Sequence, residues 1–210
     1  KMAAGDTTYV RGGLYTTEGY INFRISGTPT APIRLLNYPG EVPHIRWDGT
    51  FSTSHRIELW AGYNKWVSDI VIEGFEISNA VAGISLQNGL RVIIRRNKIH
   101  DIKFNGIFGN GYKITADRNI VYKVGRFAEC ATTPAVCNQD HGFYITGKDW
   151  LITNNIIYDN LAYGLQLAGY PYDTAFHPVG DFGGFTGRDF SGFTGIVRNN
   201  TLAFQQNRSG

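Results

Sequence analysis

The chain has 210 residues, 42% of them hydrophobic, with 26 glycines, 14% aromatics and only 18% charged residues. That length supports one sizeable domain with a core, and the mix excludes a disordered chain, which combines low hydrophobicity with high charge. The formal net charge is a modest +3, and no apolar run approaches the roughly 18 residues of a membrane span.

In chain order, GDTTYVRGGLYTT (5–17), INFRIS (21–26) and APIRLLNYPGEVPHIRWDG (31–49) read as short strands split by Gly and Pro turns. RIELWAG (56–62) resembles the strand that follows the repeated glycine in the coils described next. From residue 69 the pattern becomes regular. DIVIEGFEISNAVAGISL (69–86), RVIIRRNKIHDIKFNGIF (91–108), KITADRNIVYKVGR (113–126), DWLITNNIIYDNLAYGLQL (149–167) and TGIVRNNTLAFQQN (194–207) align under one another. One column holds Phe75, Asn97, Asn119, Asn155 and Asn200, with spacings of 22, 22, 36 and 45. A second column repeats glycine before an apolar residue: Gly83-Ile84, Gly106-Ile107, Gly142-Phe143 and Gly164-Leu165. The spacings describe a 22-residue unit with insertions of 14 and 23 residues. The insertions coincide with the least regular sequence, around Cys130–Cys137 and in the Gly/Phe-rich stretch 170–193.

Apolar alternation in runs this short has period 2, which means strands, and no useful 3.6-residue pattern competes. Three short strands and three turns in about 22 residues make one coil of a parallel β-helix. The expected fold is therefore all-β: one parallel β-helix domain over 1–210, with about 22-residue coils, two loop insertions and a ladder of Asn side chains bonded from coil to coil. After TLAFQQNRSG another strand is due, so the reading expects a fragment of a longer β-helix, further C-terminal coils or an oligomer covering the last one.

The opening GDTTYVRGGLY, the stretch SGTPTAPIRLLNYPGE and the Asn- and Gly-marked coils resemble the right-handed parallel β-helix proteins of the pectate-lyase-like superfamily over nearly the whole chain. The resemblance implies a right-handed coil and a secreted, extracellular or periplasmic protein acting on an acidic polysaccharide, most simply a lyase working by β-elimination. Its alternative is a non-catalytic carbohydrate-binding or structural module whose site has decayed. In the family-9-type pectate lyases, an Asp-Asp-Gly-Phe-Asp motif binds calcium; its counterpart here is Asp140, His141, Gly142, Phe143 and Tyr144. Only Asp140 matches among the acids, so it is the one residue offered to calcium, and no cofactor is required. A Gly-Phe-Lys-Leu-Gly motif carrying a lysine base falls on Gly164, Leu165, Gln166, Leu167 and Ala168, with Gln166 in place of the lysine.

Alternation sends Ser85, Phe108, Tyr144 and Gln166 outward on one face, with Ala82, Asn105, His141 and Tyr163 as the adjacent outward row. Elimination from a uronate needs a base, an acid and a cation. His141 as base, Tyr144 as acid, and Arg95 or Lys113 against the uronate carboxylate supply all three, with Tyr163 and Gln166 lining the groove. The competing reading has His141 and Tyr144 anchoring the neighbouring loop by hydrogen bonds. His100, Tyr122 and Tyr158 form another outward column, read as a stacked surface row. Tyr170, Tyr172, Asp173, His177 and Asp181 sit in the second insertion as candidate sugar contacts. No Walker loop, GxSxG or HExxH is present, and no glycosidase carboxylate pair is visible.

Between Arg91 and Arg126 nine Lys and Arg face two acids, Asp101 and Asp117. Such a belt would draw in a polyanion, or serve as solvated edge charge; nucleic acid is the weaker reading. Cys130 and Cys137, in CATTPAVC, suit a disulfide in an oxidising compartment; two free thiols are the alternative.

Overall fold

Strands with one apolar face cannot bury that face alone, so they stack on equivalents from the next turn of chain. A computed structural model of the chain describes residues 1–48, 56–62, 65–168, 193–203 and 205. The early strands are β1 (Thr7–Val10), β2 (Gly13–Thr17), β3 (Ile21–Phe23), β4 (Ile33–Asn37), β5 (Pro43–Trp47) and β6 (Ile57–Leu59). The regular middle holds β7 (Val67–Glu73), β8 (Glu76–Ser78), β9 (Ala82–Arg95), β10 (Lys98–Ile102), β11 (Asn105–Tyr112), β12 (Thr115–Asp117) and β13 (Ile120–Val124). After the short helix α1 (Phe127–Thr132) come β14 (His141–Thr153), β15 (Ile156–Tyr158), β16 (Leu165–Leu167), β17 (Phe193–Arg198) and β18 (Thr201–Ala203).

Every strand pairing is parallel, in an 11-stranded and a seven-stranded sheet. The seven-stranded sheet runs β2-β5-β8-β10-β13-β15-β18. In the larger sheet β9, β11 and β14 pass through a bend, so the sheet has two flanks. The first half of β9 pairs with β6 and its second half with β7. The bend falls at Asn88, Gly109 and Gly147, all with positive φ. The chain therefore winds past three faces per coil. Register partners in the middle coils lie 22 or 23 residues apart, as with Lys98 opposite Ile120, Ile93 opposite Thr115 and Ile84 opposite Ile107.

Inward side chains fill the space between the faces: Ile70 and Ile72, Val92 and Ile94, Ile107, Phe143 and Trp150 are all buried. The indoles of Trp47 and Trp150 keep a polar partner, Trp47 Nε1 donating to Gly19 O at 2.7 Å and Trp150 Nε1 to Thr146 O at 3.1 Å. Asn97 Nδ2 donates to Asn119 Oδ1 (3.1 Å), Asn119 Nδ2 to Asn155 Oδ1 (3.0 Å) and Asn155 Nδ2 to Asn200 Oδ1 (2.9 Å). Each amide also closes a backbone group, as where Asn119 Nδ2 reaches Ile94 O. Phe75 heads the column, its backbone N–H donating to Asn97 Oδ1. The glycine column exists because strands approach closely there: a Cβ on Gly142 would lie 2.5 Å from Gly164 O.

The corners turn on left-handed residues, most of them not glycine. Asp69, Arg91, Lys113 and Asp149 form one row, Arg96, Arg118, Asn154 and Asn199 a second, and Asn79, Asp101, Lys123 and Asp159 a third, all with φ between 51° and 58°. A side chain there costs about 1–2 kcal/mol of backbone strain. Exposed Lys123, at φ 51°, is the simplest probe. Lys123→Gly should raise stability by up to about 1 kcal/mol in urea denaturation, because glycine relieves the strain but loosens the unfolded chain. Lys123→Val should lower it; equal midpoints for both variants would contradict the corner geometry.

Cys130 and Cys137 form a disulfide within the first insertion, packed with Leu161. No helix among the described residues is long and apolar enough to cross a membrane.

Candidate functional site

The first flank of the 11-stranded sheet carries a vertical row of outward residues in strict register: Asn22, Glu58, Ser85, Phe108, Tyr144 and Gln166. The inward neighbours Ile84, Ile107 and Phe143 are fully buried, which fixes by alternation that these six point the other way. Phe108 and Tyr144 stack with ring centroids 5.9 Å apart. Ser85 Oγ and Gln166 Oε1, on either side of the two rings in this row, are buried without a hydrogen-bond partner. Buried polar atoms are nearly always satisfied, so two orphaned oxygens beside stacked rings point to a ligand or ordered water.

Next to this row, Ala82, Asn105, His141 and Tyr163 follow one another from coil to coil. Tyr163 is 47% exposed and stacks on His141 with centroids 5.5 Å apart, while His141 also meets Tyr144 at 5.1 Å. His141 and Tyr144 thus do come together. His141 does not face solvent, however: it is 3% exposed, roofed by Tyr163 from the next coil. Burial pushes its imidazole down to about 4, so the ring is neutral at pH 7. Its Nδ1 accepts the backbone N–H of Tyr163 at 3.2 Å, which puts the proton on Nε2. The lone pair that a base needs is already engaged, which corrects the expectation of a solvent-facing general base.

A family model described as a right-handed β-helix region matches residues 50–171, more than half of the chain. The chain belongs to this right-handed β-helix family. No curated protein and no solved structure matches it. Membership in the β-helix family accounts for the winding of the chain and names no reaction, so the chemistry rests on the side chains.

Within this β-helix the remaining expected site residues are dispersed. Asp140 is fully buried and belongs to Arg126: Nε donates to Oδ2 at 2.9 Å, Nη2 to Oδ1 at 2.9 Å, and the Arg126 backbone N–H to Oδ2 at 2.8 Å. The hydrogen bond to Asp140 raises the Arg126 guanidinium above its ordinary value. Calcium wants six to eight oxygens, and this carboxylate is fully engaged with a cation. The donor set at Asp140 does not fit calcium; the pair instead pins the start of α1 and the disulfide loop.

Arg95 lies on the second flank, its guanidinium 2.7 Å from Glu73 Oε2, and Lys113 is an exposed corner residue with Nζ 5.2 Å from the Tyr112 ring centroid. Both stand beyond the bend from Tyr144, so the structure does not bring them to the His141–Tyr144 cluster. The basic belt is largely neutralised as well. Arg91 pairs with Asp69, Arg95 and Arg96 with Glu73, Lys98 with Glu76, Lys103 with Glu129, Arg118 with Asp117, and Arg126 with Asp140. A cavity of about 550 Å³ under α1 offers no net charge either, its Lys103, Lys123 and Arg126 being balanced by Asp101, Glu129 and Asp159. Tyr170, Tyr172, Asp173, His177 and Asp181 lie outside the described residues.

Two residues of the row, Asn22 and Glu58, were missed by sequence reasoning. Glu58, 1% exposed, receives Arg56 Nη2 at 2.7 Å and Gln87 Nε2 at 3.2 Å. RIELWAG already reads as a strand of the glycine-column type, and alternation within it would have placed Glu58 on the same side as Ser85.

Proposed function

We propose that the chain is a secreted β-helix that binds an acidic polysaccharide along the first flank of its larger sheet, across Phe108, Tyr144 and Tyr163. The observation carrying this reading is the aromatic strip itself, Phe108 stacked on Tyr144 with the exposed Tyr163 ring beside them and the unpartnered Oε1 of half-buried Gln166 next in the row. Sugar rings present apolar C–H faces to aromatics and hydroxyls to an amide oxygen such as that of Gln166, the combination expected of a carbohydrate groove. The disulfide supports an oxidising compartment outside the cytosol. The resemblance to pectate-lyase-like proteins supports an acidic substrate. Tyr144→Ala should weaken binding of polygalacturonate, alginate or chondroitin about tenfold in calorimetric titration, roughly the loss of one aromatic contact. Affinity unchanged by Tyr144→Ala for every polyuronate that binds would refute the location.

A second reading, β-elimination, is favoured by the neutral His141 ring lying against Tyr144. In that reaction the Tyr144 oxygen, deprotonated beforehand, takes the C5 proton and passes it to the leaving glycosidic oxygen, while the His141 Nε2–H donates to the substrate's carboxylate once the exposed Tyr163 ring moves aside. Growth of the ultraviolet absorbance of an unsaturated uronate, abolished by Tyr144→Phe, identifies this reaction; affinity without such absorbance leaves binding as the function.

A further inference from the structure

On the outer side of the seven-stranded sheet, three successive coils bring His44, Glu76 and His100 together. β5 supplies His44, β8 supplies Glu76 and Ser78, and β10 supplies Lys98 and His100. The register sets His44 opposite Glu76 and Ser78 opposite His100. His100 Nε2 lies 2.8 Å from Glu76 Oε1 and His44 Nε2 lies 2.7 Å from Ser78 Oγ. One donor atom from each of His44, Glu76 and His100 falls within 4.8 Å of the others. Behind this cluster, Asp101 Oδ2 sits 2.6 Å from His100 Nδ1. A carboxylate on Nδ1 orients the ring and turns Nε2 toward the cluster, the outer support that metal-bound histidines have. Tyr122, stacked on the His100 ring at 4.9 Å, holds it from the next coil.

We propose that His44, Glu76 and His100 form a binding site for a divalent transition ion, with Zn²⁺ as its first occupant, clamping three neighbouring coils. Two imidazole nitrogens and one carboxylate oxygen suit zinc, whereas calcium and magnesium call for oxygen cages. Bonds of about 2.0–2.2 Å require the three donor atoms to draw in to roughly 3.3 Å of one another. Side-chain rotation provides that movement, because the backbone register already aligns the residues. Ser78 Oγ or a water takes the fourth position. On binding, the metal replaces the proton between His100 Nε2 and Glu76, which leaves to solvent. It also displaces the Lys98 ammonium, now 3.0 Å from Glu76 Oε1.

The test uses the full untagged chain, stripped with a chelator and titrated with zinc chloride by calorimetry and with cobalt(II) by visible absorbance. The expected result is one-to-one zinc binding, at least about tenfold weaker in His44→Ala and in His100→Ala and tighter in Lys98→Met, which lacks the competing ammonium. At a hundredfold excess over the dissociation constant the melting temperature should rise by about 5–10 °C. Cobalt should give ligand-field bands that His44→Ala abolishes. Should an alanine variant not fold, His44→Gln retains a polar partner for Ser78 and carries the same comparison. No saturable zinc binding, affinity unaltered in the His44 and His100 variants, or an equal response to calcium would overturn the assignment.

Discussion

Asp140→Ala is expected to destabilise the protein by about 3–5 kcal/mol, because it strands a guanidinium whose side chain is 13% exposed. The loss has a specific physical origin. Arg126 is held on its other sides by Gln139 at 2.8 Å and by the Phe104 ring at 4.7 Å, neither of which neutralises charge, and its Glu129 contact is long at 3.7 Å. With the carboxylate gone, the start of α1 must unpack or Arg126 must swing into water. Arg126→Met in the Asp140→Ala background should restore part of the stability, since replacing both members of a buried pair by apolar groups is often tolerated. Urea denaturation of the two single variants and the double variant measures the coupling. If Asp140 instead served calcium, stability would depend on calcium in the wild type and lose that dependence in Asp140→Ala; the Arg126 pairing predicts no such dependence.

The second large effect is expected in acid. His141 in the unfolded chain titrates near its ordinary 6.5, and in the folded chain burial holds it at about 4. Between those values the unfolded state binds the extra proton, so stability is full above about pH 6.5 and falls as pH drops toward 4. The loss reaches at most about 3 kcal/mol. His141→Asn retains an acceptor for the Tyr163 N–H but does not titrate, so its stability should fall less over the same interval. His44, lowered chiefly by burial, adds a slope of the same sign that both proteins share. Parallel curves for wild type and His141→Asn from pH 7.5 to 4 would show that His141 is not the buried neutral group described.

The winding of the chain is written plainly in the sequence because a coil repeats its constraints. An amide is needed at the same corner each turn, which puts Asn97, Asn119, Asn155 and Asn200 in mutual contact. A close strand approach is needed at Gly83, Gly106, Gly142 and Gly164. The charges misled for the complementary reason. A window from Arg91 to Arg126 counts bases and omits their partners, since Asp69, Glu73 and Glu76 each sit 22 residues before Arg91, Arg95 and Lys98 and directly beside them in space. Alternation along one strand assigns His141 to the outward row but cannot report that Tyr163 of the following coil lies over it. The His44–Glu76–His100 cluster runs diagonally across coils and leaves no column of like residues to notice.

Since strands bond only to those of adjacent turns, the molecule is close to a one-dimensional stack. Cooperativity then resides in the coupling of nearest neighbours rather than in a single global nucleus. A defect confined to one turn is felt by the two beside it and fades along the axis, so stiffness, unravelling and tolerance of inserted loops become properties of position along a rod.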